Sequence, residues 1–361
     1  MPTLSERLAS RTLELISIES ESLHEEAIRS HLLRLVPPAF ELACEADEAF
    51  LFLPARRRGL PLVVLAGHYD TVPAQDNLPG ELTDDAVVGL GASDMKGGLA
   101  VAVELVRDLA DDGGLVYDVG LLLFGREELP VEYDPLPPVL ASCAALQETV
   151  LAVLLEPTDG EVHVGCLGHL VGELVFHGRS GHSARPWLAE NAIERAVAGL
   201  LPIVALEPRE VDIGGVRFVE SLSVTRLQAG IADNVIPDRA AVTLSFRYAP
   251  DRTPAEAEER LRSLVPDGVS LELRSNSASG RVLGKRFVQA LLDAGARTVA
   301  PKLAWTNVAD FTAHNLDAVN FGPGHTRFAH TRDERVEVVA LVHAYETLRT
   351  FLTTPIRDDR G

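Results

Sequence analysis

Three short apolar runs in this 361-residue sequence end on side chains that are costly to bury. "PLVVLAG" (61–67) leads into His68 and Asp70, "VGLLLFG" (119–125) leads into Glu127 and Glu128, and "VLAVLLE" (150–156) closes on Glu156. Asp94 stands alone before a glycine pair in "GASDMKGG". Carboxylates brought this close repel one another and take up protons unless a cation neutralises them. On an extended strand His68 and Asp70 share a face, so one can ligate a metal while the other steers it from behind. Glu127 and Glu128 would point to opposite faces if their strand ran on, which gives one to a metal and one to proton transfer. Histidine with several carboxylates suits zinc, cobalt or manganese.

The elements that must position these residues follow from the same runs. Continuous apolar strands suit the interior of a sheet covered on both faces. "KGGLAVAVELVRDLADDGG" reads as a helix between the first two strands, and a second helix is expected near 138–147 between the second and third. Strand, helix, strand, helix, strand predicts a mostly parallel α/β sheet. Ser22 and Glu25 form an S-x-x-E capping box that starts a helix over 23–36.

From 168 to 275 the pattern changes to strand 170–177, helix 188–200, strands 217–228 and 240–248, helix 254–264 and strand 269–274. That order is the ferredoxin-like α+β unit, expected here as an insertion. The first domain then spans 1–167 and resumes over 276–361, with a helix near 284–294, the strand "AVNFG" and a last helix near 335–352.

Basic residues number 33 and acidic ones 53, a net charge of −20. That balance argues against nucleic acid or an anionic membrane as partner. No run of about eighteen apolar residues suggests a membrane span. The N-terminal stretch reads as an amphipathic helix rather than an export signal, so a cytoplasmic protein is expected. Cys44, Cys143 and Cys166 have no metal-type spacing, and free buried thiols are expected of them.

"GHYDTVP", "GASDMKGG", "REE", "LEPT", "GHSARP" and "NVIPD" occur in the order found in the dinuclear zinc aminoacylase and carboxypeptidase family, and the chain resembles that family over nearly its whole length. The tail looks most like its desuccinylase branch. The resemblance implies a metallopeptidase-like catalytic domain with an inserted lid and dimerisation domain. It implies two divalent ions per chain, zinc first, with His68 and Glu156 on one, Glu128 and His330 on the other, and Asp94 bridging them. Asp70 would orient His68, and Glu127 would be the general base. His330 is identified only by "AHTRDE"; His325, five residues earlier, competes for the role. His182 would hold the oxyanion, Arg247 and Asn234 would grip a substrate carboxylate, and Gly322 and Gly324 would offer backbone amides.

The activity so implied is hydrolysis of the amide of a small anionic N-acyl amino acid by a homodimer joined through the inserted domain, with His182 reaching the neighbour's site. Deacetylases, or an aminopeptidase or dipeptidase on the same scaffold, are the rival enzymes, and a zinc-binding protein with a dead site is the rival of another class. No G-x-S-x-G elbow supports a serine hydrolase. Many desuccinylases carry an arginine-rich stretch after "EPT" where this chain reads "DGEVHVGCLGHL", which leaves the acyl group open.

Overall fold

The structure is a computed structural model and describes residues 2–110 and 112–356. It divides into two compact units, Met1–Val164 with Leu283–Ala300 and Asp310–Gly361, and Gly165–Val282 with Pro301–Ala309. Pro301–Ala309 thus groups with the second unit, although the sequence pattern assigns it to the first.

The first unit is built on an eight-stranded sheet. From edge to edge its strands are Phe40–Ala46, Ala49–Pro54, Asp118–Phe124, Leu62–His68, Thr149–Leu154, Ala318–Asn320, Val162–Cys166 and Val299–Lys302. Leu62–His68 pairs in parallel with Asp118–Phe124 and with Thr149–Leu154, and Ala318–Asn320 is parallel to Thr149–Leu154. Phe40–Ala46 and Ala49–Pro54 run antiparallel to their neighbours, and Val162–Cys166 runs antiparallel to Ala318–Asn320. Every residue of Leu62–His68 and Asp118–Phe124 is buried, which is why those runs show no alternation. Helix Gly97–Leu109 lies against both strands, with helices Leu4–Ile16 and Val338–Thr353 packed on it. A Cβ on Gly98 would meet the Leu155 carbonyl oxygen at 2.3 Å, so the glycine pair after Asp94 permits this helix to touch the next strand end.

Four expectations are corrected. The Ser22–Glu25 capping box does not form; the helix is Glu26–Leu35, and its cap residue Glu25 makes no side-chain cap bond. Ser22 is drawn instead to Thr71 and Asp70, through Ser22 N–H to Thr71 O at 3.1 Å and Ser22 Oγ to Asp70 Oδ2 at 2.7 Å. The hydroxyl donates to a buried carboxylate, a charge-assisted bond, and this holds Ser22 beside Asp70. The helix expected near 138–147 is a short α-helix, Leu136–Ser142, followed by a 3-10 turn, Ala144–Glu148. Cys143 sits between them and is joined by a disulfide to Cys44, so two of the three cysteines are not free thiols; Cys166 is free and buried. The strand that carries Glu127 and Glu128 stops at Phe124, and Arg126 turns the chain with φ +62. The two glutamates therefore lie in a turn and not on opposite faces of a continuing strand.

The second unit holds a five-stranded antiparallel sheet, ordered Arg209–Ile213, Val216–Ala229, Arg239–Tyr248, Gly168–His177, Ser270–Ser277. The four strands other than Arg209–Ile213, with the two helices, follow the β-α-β-β-α-β order; Arg209–Ile213 is an extra edge strand that the sequence pattern does not reveal. Helices Ala192–Val204 and Pro254–Arg262 cover one face, and Leu170, Leu174, Phe176, Leu244, Phe246 and Leu261 fill the core beneath them. Thr253 and Glu256 form the capping box that starts the second of these helices.

Candidate metal centre

Five carboxylates and two imidazoles converge in the first unit. His68 ends its strand 1% exposed, with Nε2 at 3.2 Å from Asp94 Oδ1 and 3.9 Å from Glu156 Oε1. The other oxygen of Asp94, Oδ2, lies 3.5 Å from His330 Nε2, which is 2.9 Å from Glu128 Oε1. Asp94 therefore presents one oxygen to each histidine. His68, Asp94 and Glu128 offer ligand atoms that all lie within 4.8 Å of one another.

Asp70, fully buried, sits behind this group. Its carboxylate accepts the Ser22 hydroxyl, the Glu127 N–H at 3.1 Å and the Glu128 N–H at 3.2 Å. Its Oδ1 is 3.4 Å from His68 Nδ1, and its backbone oxygen is 3.1 Å from the same nitrogen. The carboxyl that orients the imidazole thus also fixes the turn that carries both glutamates. Glu334, 1% exposed, accepts the N–H groups of Gly91, Ser93 and Asp94. Sequence reasoning missed it; the only signal was its place in "HTRDE", four residues after His330.

The electrostatics ask for cations. Burial raises the Glu127 carboxyl well above the carboxylate range, and Glu156, Glu128 and Asp94 raise it further. Glu128 is raised by burial and by Asp94, against the hydrogen bond to His330. Burial alone would depress His68, yet Asp70, Asp94 and Glu127 hold it well above its ordinary value. The Glu128 hydrogen bond lifts His330 to about 9. Asp70 is the exception: burial opposes its ionised form, but His68, Ser22 and the Glu128 N–H bring its carboxyl below the ordinary value. Two carboxyls and two imidazoles held above their ordinary values describe a donor set of oxygen and nitrogen ligands suited to divalent ions.

The remaining sequence-predicted residues are distributed as follows. His325 caps the turn Thr326–Phe328 by accepting the Arg327 N–H, which commits one ring nitrogen to the backbone. Gly322 approaches the Leu155 and Glu156 carbonyls so closely that a Cβ would meet them at 2.4 and 2.5 Å, and its N–H donates to Thr158 Oγ1 at 3.0 Å. That amide is already spent inside the fold, contrary to the expectation that it serves a substrate. Gly324 lies against Ser93, whose carbonyl oxygen a Cβ would meet at 2.4 Å.

His182, Asn234 and Arg247 belong to the second unit. His182 is exposed on the two-residue strand Gly181–His182, opposite Val235, and the Asn234 carbonyl accepts the Ser183 N–H at 3.0 Å, so these two residues are neighbours. The Ala184 N–H donates to His182 Nδ1 at 3.1 Å. The neutral ring then carries its proton on Nε2 and presents a donor. Arg247 alternates with the core residues Phe246 and Tyr248 and so stands on the face away from the helices, half-buried. Among the described residues its guanidinium has no hydrogen bond or ion pair, and burial lowers its basicity. Beside it, burial and the Arg247 charge bring His169 down to about 4, and its Nε2 lies 2.9 Å from Ser245 Oγ.

Comparison with known proteins places this arrangement. Residues 64–354 match the model of peptidase family M20/M25/M40. A Mycobacterium tuberculosis protein named as a succinyl-diaminopimelate desuccinylase is 36% identical over 347 residues, 94% of this chain and 96% of that protein. The succinyl-diaminopimelate desuccinylase of Corynebacterium glutamicum is 34% identical over 354 residues, 95% of each chain. The crystal structure of a dinuclear metal binding peptidase of the M20 family from Bacillus subtilis superposes with a TM-score of 0.70 at 16% identity, over 97% of each chain.

Proposed function

The chain belongs to peptidase family M20/M25/M40, and from that premise we propose that it hydrolyses the amide of N-succinyl-LL-2,6-diaminopimelate, releasing succinate and the free diamino acid. The observation that carries this reading is identity of 34–36% to desuccinylases across almost the full length of both partners. It is a metal-dependent hydrolase, and we assign it two divalent ions per chain, zinc first. His68 and Glu156 would hold one, Glu128 and His330 the other, and Asp94 both. When bound, the ions supply Lewis acidity and lower the pKa of water.

This chain's own groups then divide the work. Glu127, half-buried and with no hydrogen bond to its side chain among the described residues, takes the proton of the attacking water and delivers it to the leaving amine. Asp70 keeps His68 in place and holds the Glu127 backbone. His182 offers Nε2–H to the developing oxyanion. Arg247, a half-buried guanidinium without a hydrogen bond or ion pair among the described residues, is suited to a substrate carboxylate, and the Asn234 amide, beside His182, to a polar group of the substrate.

We further propose a homodimer through the inserted domain, in which 168–275 acts as lid and dimerisation element and 1–167 with 276–361 as the catalytic domain. Ile193, Val197, Leu201 and Val204 support it, as they form an exposed apolar stripe along helix Ala192–Val204. No helix among the described residues is long and apolar enough to cross a membrane. We place the enzyme in the cytoplasm.

The test is a panel of succinyl-diaminopimelate, acetylornithine, acetyl-lysine and simple dipeptides. The succinylated substrate should give the highest kcat/KM. Faster turnover of dipeptides would replace this reading with a peptidase, and faster turnover of the acetylated compounds with a deacetylase.

A further inference from the structure

We infer that Glu334 is the positioning residue that sets the Asp94 carboxylate between His68 and His330, and thereby sets the affinity of both metal sites. The inference rests on the dinuclear reading above. Glu334 Oε1 accepts the N–H groups of Ser93 at 3.0 Å and Asp94 at 2.9 Å, and Oε2 accepts that of Gly91 at 2.9 Å. Its backbone oxygen accepts the Gly89 N–H at 2.9 Å. One residue thus grips the 89–94 loop at four points, including the amide of the bridging aspartate itself.

The chemistry of the grip is specific. Buried backbone N–H groups must be paired, and three of them converge here on a single side chain. A carboxylate has two oxygens and about four lone-pair sites, so it can receive all three; a carboxamide has one oxygen, and its NH2 would face an N–H. Both Glu334 oxygens accept N–H groups of the loop, so the residue acts on the centre through Asp94. The turn that carries it is anchored as well: Gln75 Nε2 donates to the His330 carbonyl at 3.0 Å and Asn77 Nδ2 to the Thr331 carbonyl at 3.2 Å. The loop holding the shared acid and the turn holding the second-site histidine are therefore one clamp. If it loosens, Asp94 loses its place relative to both imidazoles together.

The test titrates zinc into metal-free wild type, Glu334→Gln, Glu334→Asp and Leu348→Ala by calorimetry, with far-UV circular dichroism as the check on folding. Wild type should take up two equivalents. Glu334→Gln should keep its secondary structure and bind both ions at least tenfold more weakly, and its lost turnover should return as metal is raised. Leu348→Ala, a core change remote from the loop, should lower Tm and leave both affinities within twofold. Affinities of Glu334→Gln within twofold of wild type would overturn the clamp. If that variant does not fold, Glu334→Asp, which keeps the charge but is one methylene short, should show intermediate affinities, and unchanged ones would overturn the clamp equally. Fewer than two equivalents in wild type would overturn the dinuclear reading itself.

Discussion

Ser22 donates its hydroxyl to Asp70 at 2.7 Å, across 48 residues of sequence. The bond reaches from the segment before the second helix to the acid behind His68. It is one of three that the Asp70 carboxylate accepts, and the other two come from the backbone of Glu127 and Glu128.

Ser22→Ala should therefore act on the centre without touching it. Loss of a part-buried hydrogen bond to a charged acceptor costs about 2 kcal/mol of stability. Loosening the carboxylate behind a ligating histidine lowers metal affinity or activity roughly 10-fold. Asp70→Asn, with a single acceptor oxygen for three donors, should be worse on both counts. Thermal unfolding and kcat/KM of the two variants check the order; a fully active Ser22→Ala would show that the hydroxyl does not support the acid.

Glu127→Gln and Glu128→Gln should separate proton transfer from metal binding. The Glu128 carboxylate contacts His330 at 2.9 Å, whereas the Glu127 carboxylate has no hydrogen bond among the described residues. Glu127→Gln should retain two metals by elemental analysis and lose roughly 10²–10⁴ in kcat. Glu128→Gln should lose metal. Equal metal loss in both would reverse the assignment.

The disulfide predicts a redox-dependent stability. Cys44 and Cys143 are 99 residues apart, and in the chain-entropy account a loop of that length contributes about 4.7 kcal/mol, with 2–4 kcal/mol typical in practice. Reduction with dithiothreitol, or Cys44→Ser, should lower Tm by several degrees. An unchanged Tm under reducing conditions would mean that the pair contributes nothing to the folded state.

The proposed trans role of His182 predicts complementation. Glu127→Gln and His182→Ala homodimers should each be nearly inactive. Random reassortment makes half the dimers mixed, and in each mixed dimer one site keeps both groups, so activity should return to roughly a quarter of wild type. No recovery in dimers shown by mass to have mixed would place His182 in its own chain's site.

Much of the centre was legible because physics writes strand ends plainly. Runs such as "LPLVVLAG" are apolar throughout since both faces are covered, and an acid at the end of each stands out. Asp94 was legible through its glycines, one of which has no room for a Cβ beside Leu155. His330 needed the family pattern, since nothing local separates it from His325. Ser22, Glu334 and the Cys44–Cys143 link were not legible, because each is defined by a partner 48 to 243 residues away. The turn at Arg126 was missed because a positive φ at a non-glycine residue leaves no mark in sequence.

The short strand Ala318–Asn320 lies between Thr149–Leu154, to which it is parallel, and Val162–Cys166, to which it is antiparallel. On the ribosome, its two neighbours emerge more than a hundred and fifty residues before it does. Until then each offers an unpaired edge, and the nascent sheet stands open at the place where a later piece must be threaded in. Non-local pairing of this kind is slow and exposes edges that other chains can occupy. The enzyme should thus fold late and as a whole: ribosome-bound chains stopped before residue 318 should be digested readily by protease, and chains released at full length should resist it.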